Sequence, residues 1–356
     1  MRPSPAALAL TLSISTVAQA QIRIDPTCGP RIANLERSKN RAKPLEKVLT
    51  EAIKPQTKVI IFGEDHDLYG AKSALANLYK LIKKAHPRLN CVFIEQGVDH
   101  QPLLERFLAG EMDREAFTMA KMVANANGKV PDANYVKLFN DRMRAWDDLA
   151  LAAHADGASV IHDDFPARMT WDYYQRGISD TEPRNFHMAQ VMEESFRTGR
   201  CDLAIKVVGY AHVMSPTAGS GRKEAGKLQE ILRAKGLPTI ATIYSDNKYD
   251  QMTPFFYLDY KYDTYIPYTT EDEGDFDPAD PKHEEPRRIF DAYEKECLEK
   301  ALPLIPTTSV AVRAFSELLP AYTPAGVVNP KGQGRSAMMD QVDFWLWIDK
   351  SLQTRP

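Results

Sequence analysis

The sequence predicts an α/β fold, with a mostly parallel central sheet, helices on both faces and a C-terminal irregular or helical extension. Three observations predict it. Short apolar segments rich in β-branched residues alternate with longer segments of helical periodicity, these short segments are apolar throughout, and the composition changes after about residue 248. Strands without polar alternation are typical of parallel sheets that are covered on both faces. With 356 residues the chain is long enough to bury a large core.

Each element follows from a local pattern. Five segments have the length and composition of buried strands: 58–62, 91–94, 159–162, 204–208 and 239–243. Helical spacing of apolar residues lies between and beside them: 68–86, 101–109, 113–124, 133–155, 183–196 and 222–235. Pro87, Gly157 and Gly236 mark helix ends. Later in the chain we expect helices over 286–300 and 308–318, and the apolar tail 344–348 is predicted to pack back on the body.

The N-terminus resembles an export signal. Arg2 precedes an apolar stretch over 6–17, and Ala18-Gln19-Ala20 is a typical cleavage site. We therefore expect an exported protein, periplasmic or secreted, and no later segment predicts a transmembrane anchor. The predicted organisation is a signal peptide, a polar and helical segment, an α/β domain and an extension that packs on it: 1–20, 21–57, 58–248 and 249–356.

Charge and motifs narrow the function. The formal charge of −3 predicts no broad basic face, so we expect no nucleic-acid partner and instead a small-molecule or peptide substrate; the oligomeric state stays open. The sequence contains no G-x-G-x-x-G, Walker A, G-x-S-x-G or H-E-x-x-H motif. These absences disfavour nucleotide binding, serine α/β-hydrolases and zincin metalloproteases.

The four cysteines are compatible with disulfides in an exported protein. Cys28 and Cys297 lie in polar regions and form the favoured pair, whereas Cys91 and Cys201 border predicted core strands and could be buried thiols. Three full pairings exist in principle.

Two G-x-x-H tetrapeptides, Gly63–His66 and Gly209–His212, each follow a predicted strand. Glu95 follows another. Because the carboxyl ends of parallel strands meet at one edge of a sheet, we expect these side chains to gather there. Imidazole is the usual acid–base group near neutral pH and a common metal ligand.

Five residues are predicted to be catalytic: His66, Glu64, Glu95, Arg184 and His212. Four of them could also bind a metal: His66, His212, Glu64 and Glu95. Arg184 lies in the first turn of a predicted helix, where an anion is favoured.

Structural roles remain open for each of these residues. Glu64 could be a solvated carboxylate, either histidine could be structural, and Arg184 could pair with Glu182 or Glu194. The run His162-Asp163-Asp164 after the third strand could belong to the site or cap the next segment.

These motifs resemble the superfamily of erythromycin esterase, the ChaN haem-binding lipoproteins and the Tiki/TraB/GumN proteins. The residues that carry the resemblance are the two G-x-x-H motifs, Glu95 and the helix start Arg184–Met188, within about residues 55–245. The first motif is closer to the ChaN and Tiki patterns than to the esterase pattern. The resemblance implies an α/β fold with one cleft, and ester hydrolysis, metal-dependent peptide hydrolysis or haem binding in different branches.

The sequence therefore favours an exported hydrolase that activates water to cleave an ester or amide bond, with or without a divalent metal such as Mn, Co or Zn. Arg184 would stabilise the oxyanion. Two alternatives remain open: a haem or iron-uptake binding protein, and an inactive envelope or host-interaction protein.

Overall fold

The computed structural model describes residues 36, 39–64, 72–125, 133–166, 169, 181–213, 226–246, 308–313, 342–348 and 352. Several sequence-based expectations fall outside them: the signal peptide, the helix over 286–300, the Cys28–Cys297 pair and His66.

Eight strands form one sheet: β1 (Lys43–Pro44), β2 (Val59–Glu64), β3 (Leu89–Gly97), β4 (Ser159–Asp164), β5 (Leu203–Gly209), β6 (Thr239–Asp246), β7 (Val310–Arg313) and β8 (Phe344–Ile348). The order across the sheet is β1-β7-β8-β6-β2-β5-β3-β4. The strands from β8 to β4 in this order are parallel neighbours, and β7 and β1 add an antiparallel edge. The α/β fold and the five predicted core strands are confirmed.

Seven helices are present in the described part of the chain: α1 (Leu45–Ala52), α2 (Leu75–Ala85), α3 (Gln101–Leu108), α4 (Arg114–Asn125), α5 (Ala133–Ala155), α6 (Thr181–Arg197) and α7 (Leu228–Ala234). The last helical residues lie close to the predicted ends. Gly157 and Gly236 have φ values of 73° and 76°, the left-handed conformation that favours glycine after a helix.

The two sides of the sheet bury separate apolar clusters. Ile60 and Phe62 of β2 pack with side chains of α1, α2, α3 and α5, and we call this side the α5 face. Val59 and Ile61 point the other way and pack with α6 and α7, on the α6 face. Neighbouring strand residues alternate between faces because the side-chain period of a strand is two. This alternation decides which polar groups can meet on each side of the sheet.

The helix predicted over 308–318 is wrong at residues 310–313, which form β7. Val310 and Val312 are β-branched and favour an extended backbone, and the segment pairs with β8 on one side and β1 on the other. The apolar tail 344–348 does pack on the body, as strand β8 beside β6.

A disulfide joins Cys91 and Cys201, whose Cα atoms are 5.6 Å apart. The interpretation of these residues as buried free thiols is therefore wrong, although both are buried. Cys91 lies near the start of β3, level with Ala204 of β5, and Cys201 lies just before β5. Two strands separated by 110 residues are thus linked at their amino ends. Among the described helices, none has the length and apolar character to cross a bilayer.

Candidate active site

The candidate site lies at the carboxyl ends of three neighbouring strands. Glu95 is near the end of β3, and Asp164 ends β4. After β5, a single 3-10 turn over Tyr210–His212 carries the second G-x-x-H histidine. Because β5, β3 and β4 are adjacent and parallel, these three ends share one edge. Helix α6 packs against β4 and against the 3-10 turn and brings Arg184 and Asn185 to the same place.

Glu95 accepts hydrogen bonds from three directions. Its Oε2 accepts one from the backbone N–H of Gly209 at 2.6 Å. Its Oε1 lies 3.1 Å from Nε2 of His212 and accepts a hydrogen bond from Nη2 of Arg184. Glu95 is only 6% exposed, so the charge of its carboxylate is balanced by these donors and not by bulk water. The structure brings Glu95, Arg184 and His212 together, as the sequence led us to expect.

Arg184 bridges two carboxylates. Its Nε lies 3.0 and 3.2 Å from the two oxygens of Asp164, and its Nη2 lies 2.5 Å from Oδ2 of the same group. Pairing with Glu182 or Glu194 is wrong, because Arg184 instead reaches Asp164 and Glu95, and Glu194 binds Arg197. The fork geometry of a guanidinium suits two acceptors at once and fixes both strand ends relative to α6.

His212 is held through both ring nitrogens. Nδ1 lies 2.6 Å from Oδ1 of Asn185. The Asn185 Nδ2 donates to the carbonyls of Gly226 at 2.8 Å and His212 at 3.4 Å, which leaves Oδ1 as an acceptor. Nδ1 therefore carries a proton. Nε2 faces a carboxyl oxygen, so one further proton lies between His212 and Glu95. The pair can release a proton, but this His212 nitrogen cannot also serve as a free base.

We call Glu95, Arg184, His212, Asp164 and Asn185 the Glu95 centre. Glu95 places this centre beside the α6 face, because its side chain points to the same side of β3 as Cys91 and Phe93, which pack on that face.

Gly63 allows the 3-10 turn to approach the sheet. A Cβ atom at Gly63 would lie 3.1 Å from Cγ2 of Val213, the residue after His212, and 3.2 Å from the carbonyl oxygen of Thr242. The first G-x-x-H glycine therefore serves close packing beside the second histidine. Gly63 itself lies inside β2.

Glu64 lies on the other side of the sheet. Its side chain points to the same side of β2 as those of Ile60 and Phe62, which is the α5 face. There its Oε2 lies 3.7 Å from Nζ of Lys72, and both side chains are 1% exposed. Glu64 is buried and charge-paired, so a solvated loop carboxylate is wrong. His66 lies outside the described residues, and its meeting with His212 stays a prediction.

The run His162-Asp163-Asp164 divides between the faces. Asp163 points to the α6 face, where Nζ of Lys206 donates to its Oδ1 at 2.5 Å and both side chains are fully buried. Burial raises the pKa of Asp163 to about 7, although the Lys206 ammonium opposes this rise. Asp164 binds Arg184, and its Oδ1 also accepts the N–H of Phe165 at 2.7 Å.

His162 points to the α5 face. Burial, followed by the positive charge of Lys121, holds its pKa well below the usual range, so the ring is neutral near pH 7. Lys121 itself lies 3.8 Å from Asp147 and 4.0 Å from the centre of the Phe117 ring. Desolvation lowers the pKa of Lys121 and raises that of Asp147. This second polar group is buried but has no contact with the Glu95 centre among the described residues.

The sequence analysis did not identify Lys206 as part of the site, although the sequence contains a signal for a buried ion pair there. It is the one charged residue within the otherwise apolar strand 204–208, and a lysine buried there requires an acidic partner. Asn185 was noticed only as part of the helix start; its pairing with His212 needs the fold to bring α6 to the 3-10 turn. The Gly209 N–H carries no side-chain signal at all.

The Glu95 centre does not fit a divalent metal in this arrangement. Both Glu95 oxygens accept from N–H donors, His212 uses both ring nitrogens, and the Arg184 guanidinium would repel a cation. Across the residues that the structure describes, no group of three or more His, Cys, Asp or Glu side chains could hold an ion. The metal set that includes His66 stays a prediction.

No protein-family model and no curated protein matches the chain. Two solved structures are similar to it. The type III effector HopBA1 matches with 11% identity and a TM-score of 0.36 over 57% of this chain and 86% of that chain. RRSP, a MARTX toxin effector domain from Vibrio vulnificus CMCP6, matches with 16% identity and a TM-score of 0.36 over 58% of this chain. This chain spans 37% of the RRSP chain. Similarity at these TM-scores assigns neither a family nor a function.

Proposed function

We propose that the chain is an exported hydrolase that cleaves an ester or amide bond at the Glu95 centre. The observation that carries the proposal is the single carboxylate of Glu95 bound at once by Arg184, His212 and the N–H of Gly209. An assembly of buried acid, base and cation at the carboxyl ends of parallel strands is typical of a catalytic site.

The contacts suggest a division of roles. His212 and Glu95 share a proton, and this proton can pass to the leaving group when the bond breaks. Arg184 orients Glu95 and adds positive charge beside the position where an oxyanion would develop. Because His212 has no free nitrogen to act as base, we assign the activation of water to His66, which follows β2 two residues after Glu64. No metal is required in this scheme.

The disulfide supports the exported location. A covalent link between Cys91 and Cys201 forms and persists in oxidising compartments, which agrees with the signal-like N-terminus.

The test uses the purified mature protein with p-nitrophenyl acetate as the ester probe and a fluorogenic casein as the peptide probe. We expect turnover of at least one probe by the wild type and a loss of about 100-fold or more in kcat/KM for His212→Gln and for His66→Ala. His154→Gln, an exposed histidine of α5, is the matched control and should keep wild-type turnover. Absence of turnover of both probes, or an unchanged rate in His212→Gln, would overturn the proposal.

Chelation separates the two forms of the mechanism. Treatment with EDTA followed by Mn²⁺, Co²⁺ or Zn²⁺ should leave kcat/KM unchanged if water is activated by the protein alone. A rate that falls on chelation and returns with one ion would replace the metal-free scheme.

A further inference from the structure

The buried ion pair between Lys206 and Asp163 lies across the strand that carries Glu95. Lys206 belongs to β5 and Asp163 to β4, and β3 runs between these two strands. Lys206 is level with Phe93 in the sheet register. Its side chain therefore reaches over β3 on the α6 face to meet Asp163, at the level of Glu95 and its neighbours.

Stability alone gives little reason for such a pair. Removing two charges from water costs several kcal/mol, and apolar side chains of similar size often stabilise a core equally well. The pair is nevertheless closed at 2.5 Å with both side chains at 0% exposure. Within the part of the chain that the structure describes, the buried pair Lys121–Asp147 has a separation of 3.8 Å instead.

Lys206 and Asp163 are each close in sequence to a residue that binds a member of the Glu95 centre. Asp163 precedes Asp164, which binds Arg184. Lys206 lies three residues before Gly209, whose N–H binds Glu95. Any shift of the pair would therefore move the partners of both Arg184 and Glu95.

Charge adds a second link between the pair and the centre. Together they contain three carboxylates, Glu95, Asp163 and Asp164, and two fixed cations, Lys206 and Arg184. The groups that act electrostatically on Asp163 are Lys206 of β5, Asp164 of β4 and Glu95 of β3. With the proton shared by His212 and Glu95 these charges balance, and both Asp163 and the Glu95–His212 pair are places where that proton can reside.

Asp163 has room for that proton. Its Oδ2 is buried and has no hydrogen-bond partner among the residues that the structure describes, while Oδ1 is held by Lys206. The pKa of about 7 means that its charge changes near neutral pH. A carboxylate that is fully paired and purely structural would stay ionised there.

We propose that Lys206 and Asp163 are positioning residues that hold β3 between its neighbours and set the charge felt by the Glu95–His212 pair. When Asp163 takes up a proton, the Lys206 ammonium is left uncompensated beside the centre and disfavours a positively charged His212. This role in turnover rests on the proposed hydrolase, whereas the electrostatic coupling does not.

The first measurement is the free energy of unfolding between pH 5 and pH 8. The folded pKa of Asp163 is raised above its unfolded value, so its stabilising effect is complete at low pH and is lost as the pH rises through about 7. Asp163→Asn should remove this decline. The double variant Lys206→Met/Asp163→Asn serves if the single variant fails to fold, because it removes both charges of the buried pair. The control Ser195→Ala, a buried neutral substitution in α6, should keep the decline.

The second measurement detects the coupling without any substrate. In a His212→Gln background, which removes the imidazole, the amide resonance of Gly209 should show an inflection near pH 7. Adding Asp163→Asn should abolish it. A core crosslink that does not act on the centre would give the stability decline but no inflection at Gly209, and that result would overturn the proposal.

The third measurement is the pH dependence of kcat/KM. We expect Asp163→Asn to shift the pH of half-maximal activity by about one unit relative to the wild type, and the Lys121→Met/Asp147→Asn control to leave it in place. If neither probe is hydrolysed but the Gly209 inflection is present and depends on Asp163, the hydrolase fails and the coupling stands. If the protein turns over a probe but Asp163→Asn leaves the pH profile of kcat/KM unchanged, the coupling is wrong and the proposed hydrolase stands.

Discussion

The two faces of the sheet bury charge in different ways. On the α6 face and at the strand ends beside it, Glu95, Asp163 and Asp164 each have a cationic side chain within hydrogen-bond distance. On the α5 face, the buried pairs Lys72–Glu64 and Lys121–Asp147 are separated by 3.7 and 3.8 Å. Their ammonium groups lie instead near aromatic rings, 5.6 Å from Trp146 and 4.0 Å from Phe117.

The difference separates a fixed site from a structural interior. Direct charged hydrogen bonds fix the orientation of a carboxylate, and a reacting group needs that orientation. In the Lys121–Asp147 pair, the ammonium group lies beside the Phe117 ring and makes no direct hydrogen bond that would orient the carboxylate. This contrast supports the proposal that the chemistry takes place beside the α6 face, and substitutions on the two faces can test it.

The largest effect should come from Arg184→Met. It leaves Glu95 and Asp164 buried without their shared guanidinium, and we expect a loss of about 3–5 kcal/mol in the free energy of unfolding. Arg114→Met on the α5 face is the matched variant. Arg114 binds Asp148 at 2.5 Å, but both side chains are more than a quarter exposed, so we expect about 1 kcal/mol or less. Urea unfolding measures both, and equal losses would contradict the contrast.

The disulfide should come next. Cys91→Ala/Cys201→Ala opens a covalent loop of about 110 residues and should cost about 2–4 kcal/mol. The link lies at the amino ends of β3 and β5, far along the strands from Glu95 and His212. Below its lowered melting temperature the variant should keep the wild-type kcat/KM. A loss of activity at full folding would mean that the disulfide also positions the site.

Asn185→Ala should have a smaller effect on stability and a specific one on His212. It removes hydrogen bonds to the Gly226 carbonyl and to the imidazole, and we expect about 1–2 kcal/mol. The proton on Nδ1 loses its acceptor, so the ring ¹⁵N resonances of His212 should change. Ser195→Ala on the same helix, whose hydroxyl only binds the Val191 carbonyl, is the control and should leave those resonances unchanged.

The smallest effect concerns His162, the neighbour of Asp163 on the opposite face. Its folded pKa is lowered, so the unfolded chain binds the proton more readily below about pH 6.5. The contribution of His162 to stability should therefore fall as the pH drops below that value, by up to about 1.4 kcal/mol per pH unit, and it opposes the contribution of Asp163 over the same range. The difference in unfolding free energy between the wild type and His162→Gln isolates it. A difference that does not change with pH would contradict this prediction.

Much of the fold could be predicted because its signals are local. Apolar strands, helix ends at Gly157 and Gly236, and the polar residues after each strand all appear in short stretches of sequence. The parallel sheet then brought Glu95, Asp164 and His212 to one edge, as expected of strands that run the same way.

What could not be predicted depends on which way a side chain points. Glu64 and Glu95 both follow apolar strands, yet one faces α5 and the other α6. The sequence shows which residues of one strand point to the same side, but tertiary packing decides which face of the sheet that side becomes. The Cys91–Cys201 pair needed the order β5-β3, which places a late strand beside an early one. The strand at 310–313 is formed by pairing with residues far away in sequence.

The most direct test of the account compares one buried carboxylate from each face. Glu95→Gln and Asp147→Asn are both isosteric and both remove a buried negative charge, and near-UV circular dichroism can confirm that each variant is folded. The account predicts a loss of about 100-fold or more in kcat/KM for Glu95→Gln and a change of no more than about twofold for Asp147→Asn. Similar rates in the two variants would contradict it.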